Sequence, residues 1–490
     1  SFLWAVAPPE TTEGIYLGSL LDDVWSTGSG CERLVAKLAS QPKACRRKAW
    51  AGEKSMLVSS SWGLSSDGLA LLVLSKSLVL PSSIRSNWST SDATPCKWKG
   101  IGCNERSRVI SLDLSSSEIS GSIGPEIGRL KYLQILFLYA NNISGSIPTE
   151  LGNCCMLEQL DLSQNSLSGK IPQSIGNLKK LSLLSLYYNS LSGTIPEELF
   201  MLQFLQEVYL HGNQLNGSIP FSVGQMTNLR SLWLYENMLS GVLPGSIGNC
   251  TKLEELYLLD NQLTGSLPET LGEIKGLKIF DVSNNSFTGG IPFGFGENCK
   301  LEILILSSNN IKGEIPSWLG NCRSLQQLGL VNNSLSGKIP TSLGLLSNLA
   351  YLLLSENSLS GPIPPEIGNC RSLQWLELDA NQLEGTVPKE LANLRNLSKL
   401  FLSSNRLTGN NGFTGVIPPN ICSGKALRIL NLGFNHLSGS IPSNVLDCPS
   451  SERLILRDNN LSESILWLLL GSASCEETWV IDRMNLEPFL

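Results

Sequence analysis

Aromatic side chains and carboxylates recur at fixed intervals in the first half of this sequence, and that spacing suits recognition. Tyr187, Tyr188, Tyr209, Trp233, Tyr235 and Tyr257 fall on three interleaved 24-residue series, with His211 between Tyr187 and Tyr235. Phe137 and Tyr139 continue two of the series toward the N-terminus, and Glu236, Asp260 and Asp281 occupy neighbouring places. Large exposed aromatic surfaces mark interaction sites. The expected chemistry is binding of an extended peptide, its apolar residues on the rings and its basic residues near the carboxylates. A structural alternative stays open, because aromatics suit strands and neighbouring rings cover each other. A weaker, more acidic patch, Trp375, Glu377, Asp379 and Glu356, is either a second contact or a solvated face. His211 is expected as an exposed polar strand residue, with a pH-sensitive contact as the alternative; His436 carries no signal. Two histidines in 490 residues leave little for histidine-based catalysis or metal binding, and no cofactor is called for. A formal charge of -6 gives no electrostatic footprint for nucleic acid. The apolar run Ile465 to Leu470 is six residues, far short of the roughly 18 that a membrane span needs.

The elements that position these residues follow from the period. Register starts fall every 24 residues from Val109 to Leu397, then at Leu427 and Ser451, which makes 15 units. The fourth reads L-x-x-L-x-L-x-x-N-x-L-S-G-x-I-P from Leu181 to Pro196. Leu184 and Leu186 alternate with other residues, so they face inward on a short strand. Leu181, Leu191 and Ile195 complete an apolar wedge that one unit cannot bury alone. Stacking buries it, which predicts a solenoid whose strands form one long parallel sheet. Positions three, five, seven and eight of each unit then face the concave side. The ninth-position Asn, such as Asn189 or Asn213, turns the chain and bonds backbone groups of the turn and of the next unit. Gly permits a tight bend, and Ile-Pro keeps the return segment extended. At about 4.8 Å per strand, 15 units give roughly 70 Å of sheet.

The Ser/Thr-Gly-x-Ile-Pro text after the Asn resembles the plant-specific class of leucine-rich repeat, found in the extracellular parts of plant receptor-like kinases. Asp67-Gly-Leu-Ala-Leu-Leu72, Trp88 and Pro95-Cys96-Lys-Trp98-Lys-Gly100-Ile-Gly-Cys103 look like that family's N-terminal cap. The resemblance implies a disulfide between Cys96 and Cys103. Within the family, Pro95-Cys96 through Cys103, Gly124-Pro125-Glu126-Ile127-Gly128 and Leu427 to Gly433 look most similar to receptors for plant elicitor peptides. It implies a secreted or cell-surface ectodomain that binds a secreted peptide, with a co-receptor kinase ectodomain as a further partner. In intact relatives a membrane helix and a serine/threonine kinase follow, which places the ectodomain on the outer face of the plasma membrane; without them the chain would be apoplastic. No His-Arg-Asp loop, Asp-Phe-Gly or kinase glycine loop occurs here, so no enzyme activity is expected. A secreted inhibitor of cell-wall-degrading enzymes, which uses the same repeat class, is the alternative; a truncated gene product without function is the other.

Cys154, Cys250, Cys322, Cys370 and Cys448 each lie three residues before a register start, no two in adjacent units. Bridges between them would span about 10 Å, beyond reach, so they are expected as small buried hydrophobes. Cys31, Cys45 and Cys475 fall outside the repeats. Eight Asn-x-Ser/Thr triplets begin at Asn87, Asn142, Asn216, Asn249, Asn284, Asn332, Asn396 and Asn460; an Asn- and Ser-rich repeat also generates such triplets by accident. With the cap disulfide they fit a secretory route, and some are expected to carry glycans. The expected organisation is a non-repeat segment over 1–66, a cap over 67–108, repeats over 109–466 and an uncapped tail over 467–490. Six extra residues around 410–415 double the turn text of unit thirteen, which suggests lost units or an inserted loop.

Overall fold

The computed structural model describes residues 63–292, 299–408, 418, 420–422, 424–439 and 453–461. The expectations for residues 1–62, for the 410–415 insertion, for the 467–490 tail and for Cys31, Cys45, Cys448 and Cys475 lie outside them.

Each unit starts with a three-residue strand whose middle residue points into the core, as in Glu207–Tyr209 with Val208 buried. Val208 pairs with Leu184 on one side and Leu232 on the other, so the register advances by one repeat per strand. Sixteen such strands form one sheet in chain order. Its first pair, Ile101–Cys103 with Val109–Asp113, is antiparallel and closes the cap; the pairs that follow are parallel. Leu181, Leu184, Leu186 and Leu191 are fully buried and Ile195 nearly so. Registration holds across the lengthened unit thirteen, where Leu400 pairs with Leu430.

The ninth-position Asn bonds backward rather than forward. Asn213 Oδ1 accepts from the Leu191 amide of the preceding unit, and Nδ2 donates to Leu186 O, Leu210 O and His211 O. This explains the exception in unit one, where Ser117 stands in place of Asn: no repeat precedes it. The eighth residue is left-handed in unit after unit, with Tyr188 at φ 47° and Glu236 at 52°.

Two features differ from the expected architecture. The return segment is extended only at the proline; a five-residue 3-10 helix follows directly, as Glu197–Met201 does after Pro196. Proline has the φ of a helix start and lacks the amide that would go unpaired there. The residues after the Asn pair laterally into further sheets of nine, five and two strands, the first of them begun by the antiparallel cap strand Leu78–Val79 and divided from the second between Ser286–Thr288 and Lys312–Glu314.

In the cap, Asp67 is buried; it accepts from the Val109 amide at 3.0 Å and pairs with Arg108 at 2.9 Å. Trp88 stacks on Trp98 at 5.3 Å, and Cys96 is bonded to Cys103. Cys154, Cys250 and Cys370 are buried thiols, as expected, and donate to Ile127 O, Val223 O and Leu343 O of the preceding units. Burial pushes Cys154 and Cys250 up to about 12 and Cys370 to about 11. Cys322 corrects the reading of these cysteines as unbridged. It is bonded to Cys299 of the adjacent unit, with Cα atoms 4.8 Å apart. Cys299 sits one place out of phase with the Gly-Asn-Cys series, so the spacing argument missed it. Cys155 and Cys422 are also disulfide-bonded.

Candidate ligand-binding surface

Positions five and seven of successive units form two parallel rows of rings on the open face of the sheet. In the outer row Tyr187 stacks on His211 at 4.6 Å and His211 on Tyr235 at 4.2 Å, with planes within 7° and 14°. In the inner row Tyr209, Trp233 and Tyr257 meet edge to face at 4.8 and 5.1 Å. His211–Trp233 at 5.6 Å and Tyr235–Tyr257 at 6.2 Å join the rows. Tyr188 leans over Gly212, edge-on to His211 at 5.2 Å. The interleaved series thus come together as one continuous aromatic floor. Among the described residues no ring contact links Phe137 or Tyr139 to it; Asp161, Ser163 and Gln164 of unit three lie between.

The floor is only partly open. Tyr188 is 46% exposed, while Tyr187, Tyr209, Trp233, Tyr235 and Tyr257 are half-buried against one another. Mutual covering of rings is therefore real, and it coexists with an accessible upper surface. His211 departs from the expected exposed residue: it is 3% exposed, because Tyr187, Tyr188 and Tyr235 enclose it. Its Nδ1 has no hydrogen-bond partner, and burial lowers its pKa to about 3, so it is neutral.

Carboxylates edge the floor. Glu255 accepts from Trp233 Nε1 at 3.0 Å and from Ser231 Oγ at 3.1 Å, and Glu207 from the Tyr209 hydroxyl at 3.2 Å. Burial raises the pKa of Glu236, with the nearby Asp260 adding to it. Asp281 departs from its expected role as an open carboxylate. It is buried and accepts from the amide and hydroxyl of Ser283, and burial raises it to about 6.

The second patch is larger than its four expected residues. Trp375 meets Tyr351 at 6.5 Å and Phe401 at 6.2 Å, and the Lys399 ammonium lies 4.2 Å above its ring. Burial raises Glu377, and raises Asp379 to about 6, with Glu377 adding to the latter. Trp375 Nε1 and Asp379 Oδ1 are a buried donor and a buried acceptor without partners. Sequence reading missed Tyr351, Lys399, Phe401, Glu207 and Glu255; four of them stand at position three, which also faces this side. Over units one to twelve, positions three, five, seven and eight hold Asp113, Asp161, Glu207, Glu236, Glu255, Asp260, Asp281, Glu356, Glu377 and Asp379, and no Lys or Arg.

All eight sequon asparagines are exposed, and Asn284, on the rim of the floor, donates to Asp260 at 2.8 Å.

Stacked units that present an aromatic and acidic sheet face define a repeat-solenoid recognition module. The chain belongs to the leucine-rich repeat family: the Leucine Rich Repeat model matches twelve stretches between residues 132 and 448, more than half of the chain. The Leucine rich repeat N-terminal domain model matches residues 64–104. A receptor-like protein kinase of Ipomoea nil is 48% identical over 75 residues, 15% of this chain and 7% of the relative. The leucine-rich repeat receptor-like protein kinase PEPR1 of Arabidopsis thaliana is 50% identical over 74 residues, 14% of this chain and 7% of the relative. The matches therefore span a small fraction of either kinase. Among solved structures, the PEPR1-AtPEP1 crystal structure superposes with a TM-score of 0.65 at 40% identity, covering 81% of this chain and 66% of that one. The plant peptide hormone receptor RGFR1 in complex with RGF2 gives 0.64 at 36% identity, covering 70% and 57%.

Proposed function

We propose that this chain is ligand-sensing ectodomain of a plant cell-surface receptor-like kinase, and that a basic, extended peptide lies along its concave face. The observation that carries the reading is the charge of that face: ten carboxylates and no cation over twelve units. Trp233 and Trp375 stand six strands apart, about 29 Å at 4.8 Å per strand. A peptide of about nine extended residues bridges them at roughly 3.3 Å per residue. The unpartnered Trp375 Nε1 and Asp379 Oδ1 suit a ligand that brings both an acceptor and a cationic donor. The PEPR1-AtPEP1 structure and the complex of the plant peptide hormone receptor RGFR1 with RGF2 support a peptide as the ligand. A co-receptor ectodomain, exposure to the extracellular space and glycans on a subset of the sequons belong to this reading.

Calorimetry with AtPEP1 and a panel of linear basic peptides tests it. Saturable binding is expected, abolished by Trp233→Ala with Tyr257→Ala, and weakened as pH falls through about 6, where Asp379 loses its charge. Undiminished binding by the double variant overturns the assignment.

A further inference from the structure

The flank of the solenoid opposite the lateral strands carries charge of the other sign. Positions 16–19 of units one to twelve, where the 3-10 helices begin, hold seven Glu and one Lys. Positions 20–24, where each helix ends and the chain descends to the next strand, hold ten Lys or Arg and two Glu. The whole chain is net -6, so this flank inverts the global balance.

These descending residues form a line. Asn228 Nδ2 donates to Gln203 O at 2.8 Å, Lys252 Nζ to Asn228 Oδ1 at 2.7 Å, Asn348 Nδ2 to Arg323 O at 3.0 Å and Asn396 Nδ2 to Arg371 O at 3.2 Å. Matching places in consecutive units are thus in direct contact. Lys252, Lys275, Lys300, Arg323, Arg371 and Arg395 supply six cations in units six to twelve, and each is exposed. The ion pairs among the described residues are Arg108–Asp67, Arg230–Glu254 and Lys278–Glu254, so none of the six is neutralised that way. Glu273 is the one described carboxylate in the row. Helix-end electrostatics favours cations only within the last turn. Lys275 and Arg323 stand one residue beyond their C-caps, and Lys252 two beyond.

We propose that this flank, from unit six to unit twelve, is a docking strip for a linear acidic polysaccharide with carboxylates along its length. Cations on a line about 29 Å long, counted as six steps of 4.8 Å, one in each unit except unit ten, match a polymer that carries anions along its whole length. A compact acidic protein would reach only part of such a line. A flat anionic membrane fits less well, because it would also meet Glu254 and Glu302 on one side of the strip and Glu366 and Glu390 on the other. Arg323 spends one N–H on Leu345 O at 2.6 Å, and its remaining donors suit a planar carboxylate, as do those of Arg371 and Arg395. The strip is separate from the peptide groove, so either site can fail without the other.

The test uses the full chain and immobilised polygalacturonate, a linear polyuronate. Saturable binding is expected that weakens with salt. Lys300→Gln, Arg323→Gln, Arg371→Gln and Arg395→Gln together should lower affinity by about tenfold or more at about 50 mM salt and flatten the salt dependence. Arg323→Lys, Arg371→Lys and Arg395→Lys together should keep the parent's salt dependence, since the charges remain, and bind more weakly than the parent but more tightly than the Gln variant, since the planar fork is lost. All these sites are exposed, and unchanged melting and tryptophan fluorescence establish that the variants are folded. The proposal is overturned if the Gln variant binds as tightly as the parent, or if neutral dextran binds equally. It is overturned as well if phosphatidylserine vesicles capture the chain through these residues while polygalacturonate does not.

Discussion

Replacing Gly212 by Ala isolates what holds the aromatic floor in place. An added Cβ would lie 2.1 Å from Tyr188 Cδ1 and 2.5 Å from Cε1, with no backbone atom among its nearest contacts. Gly212 sits at φ 63°, but Ala140 and Ala380 hold the corresponding place in their own units at 53° and 50°. The backbone therefore accepts alanine at a left-handed cost of about 1 kcal/mol. The Tyr188 ring must swing away, which forfeits its edge contacts with His211 and Tyr187 at 5.2 and 5.6 Å, worth about another 1 kcal/mol. The sum is about 2 kcal/mol, confined to units four to six because a solenoid unit contacts only its neighbours. Amide hydrogen exchange is the suitable assay. The Asn189 and Gly212 amides, bonded to Gly212 O and Tyr235 O, should exchange about thirtyfold faster. His211 should move up from about 3 toward its ordinary range as water reaches it. Unchanged protection, or a histidine that stays low, would refute the view that Tyr188 seals the floor over Gly212.

Two further perturbations probe the scaffold. Asn237 is buried, accepts from the Leu215 amide at 3.0 Å and donates to Leu210 O, Leu234 O and Tyr235 O. Asn237→Ala leaves that amide buried without an acceptor and should cost about 3 kcal/mol, read as faster exchange at Leu215 and in the strands beside it. His211→Phe should make the chain less sensitive to acid. The native histidine is neutral down to about 3, whereas the unfolded one takes up its proton near 6.5. The unfolded state thus binds more protons between these limits, and stability falls as pH drops through that window. Phenylalanine should recover about 3 kcal/mol at pH 4 relative to pH 7, measured by denaturant unfolding; an identical pH dependence would contradict a buried neutral His211.

The scaffold was largely legible because each unit repeats the same apolar wedge. Leu184, Leu186 and Ile195 announce their burial by period alone, and the ninth-position Asn announces a turn. What period could not give is detail set by neighbours. The direction of the Asn bonds depends on which adjacent carbonyls point at the amide. The Cys299–Cys322 bridge depends on two cysteines one place out of phase. His211 looked exposed because its series is solvent-facing; its burial comes from Tyr187, Tyr188 and Tyr235, all of which belong to the two adjacent units. The same holds for Asp281, whose carboxylate turns onto Ser283. The second patch was under-read because Tyr351 and Lys399 occupy position three, whose side chains are judged only once strand pairing sets them beside Trp375.

The most direct measurement of where a ligand sits is photo-crosslinking from a basic peptide carrying a reactive group at successive positions. The account predicts adducts on Tyr187, Tyr188, Trp233 and Tyr257 from one end and on Trp375 or Phe401 from a point about nine residues away. Adducts on the 3-10 helices or the lateral strands, with the two aromatic patches untouched, would contradict it.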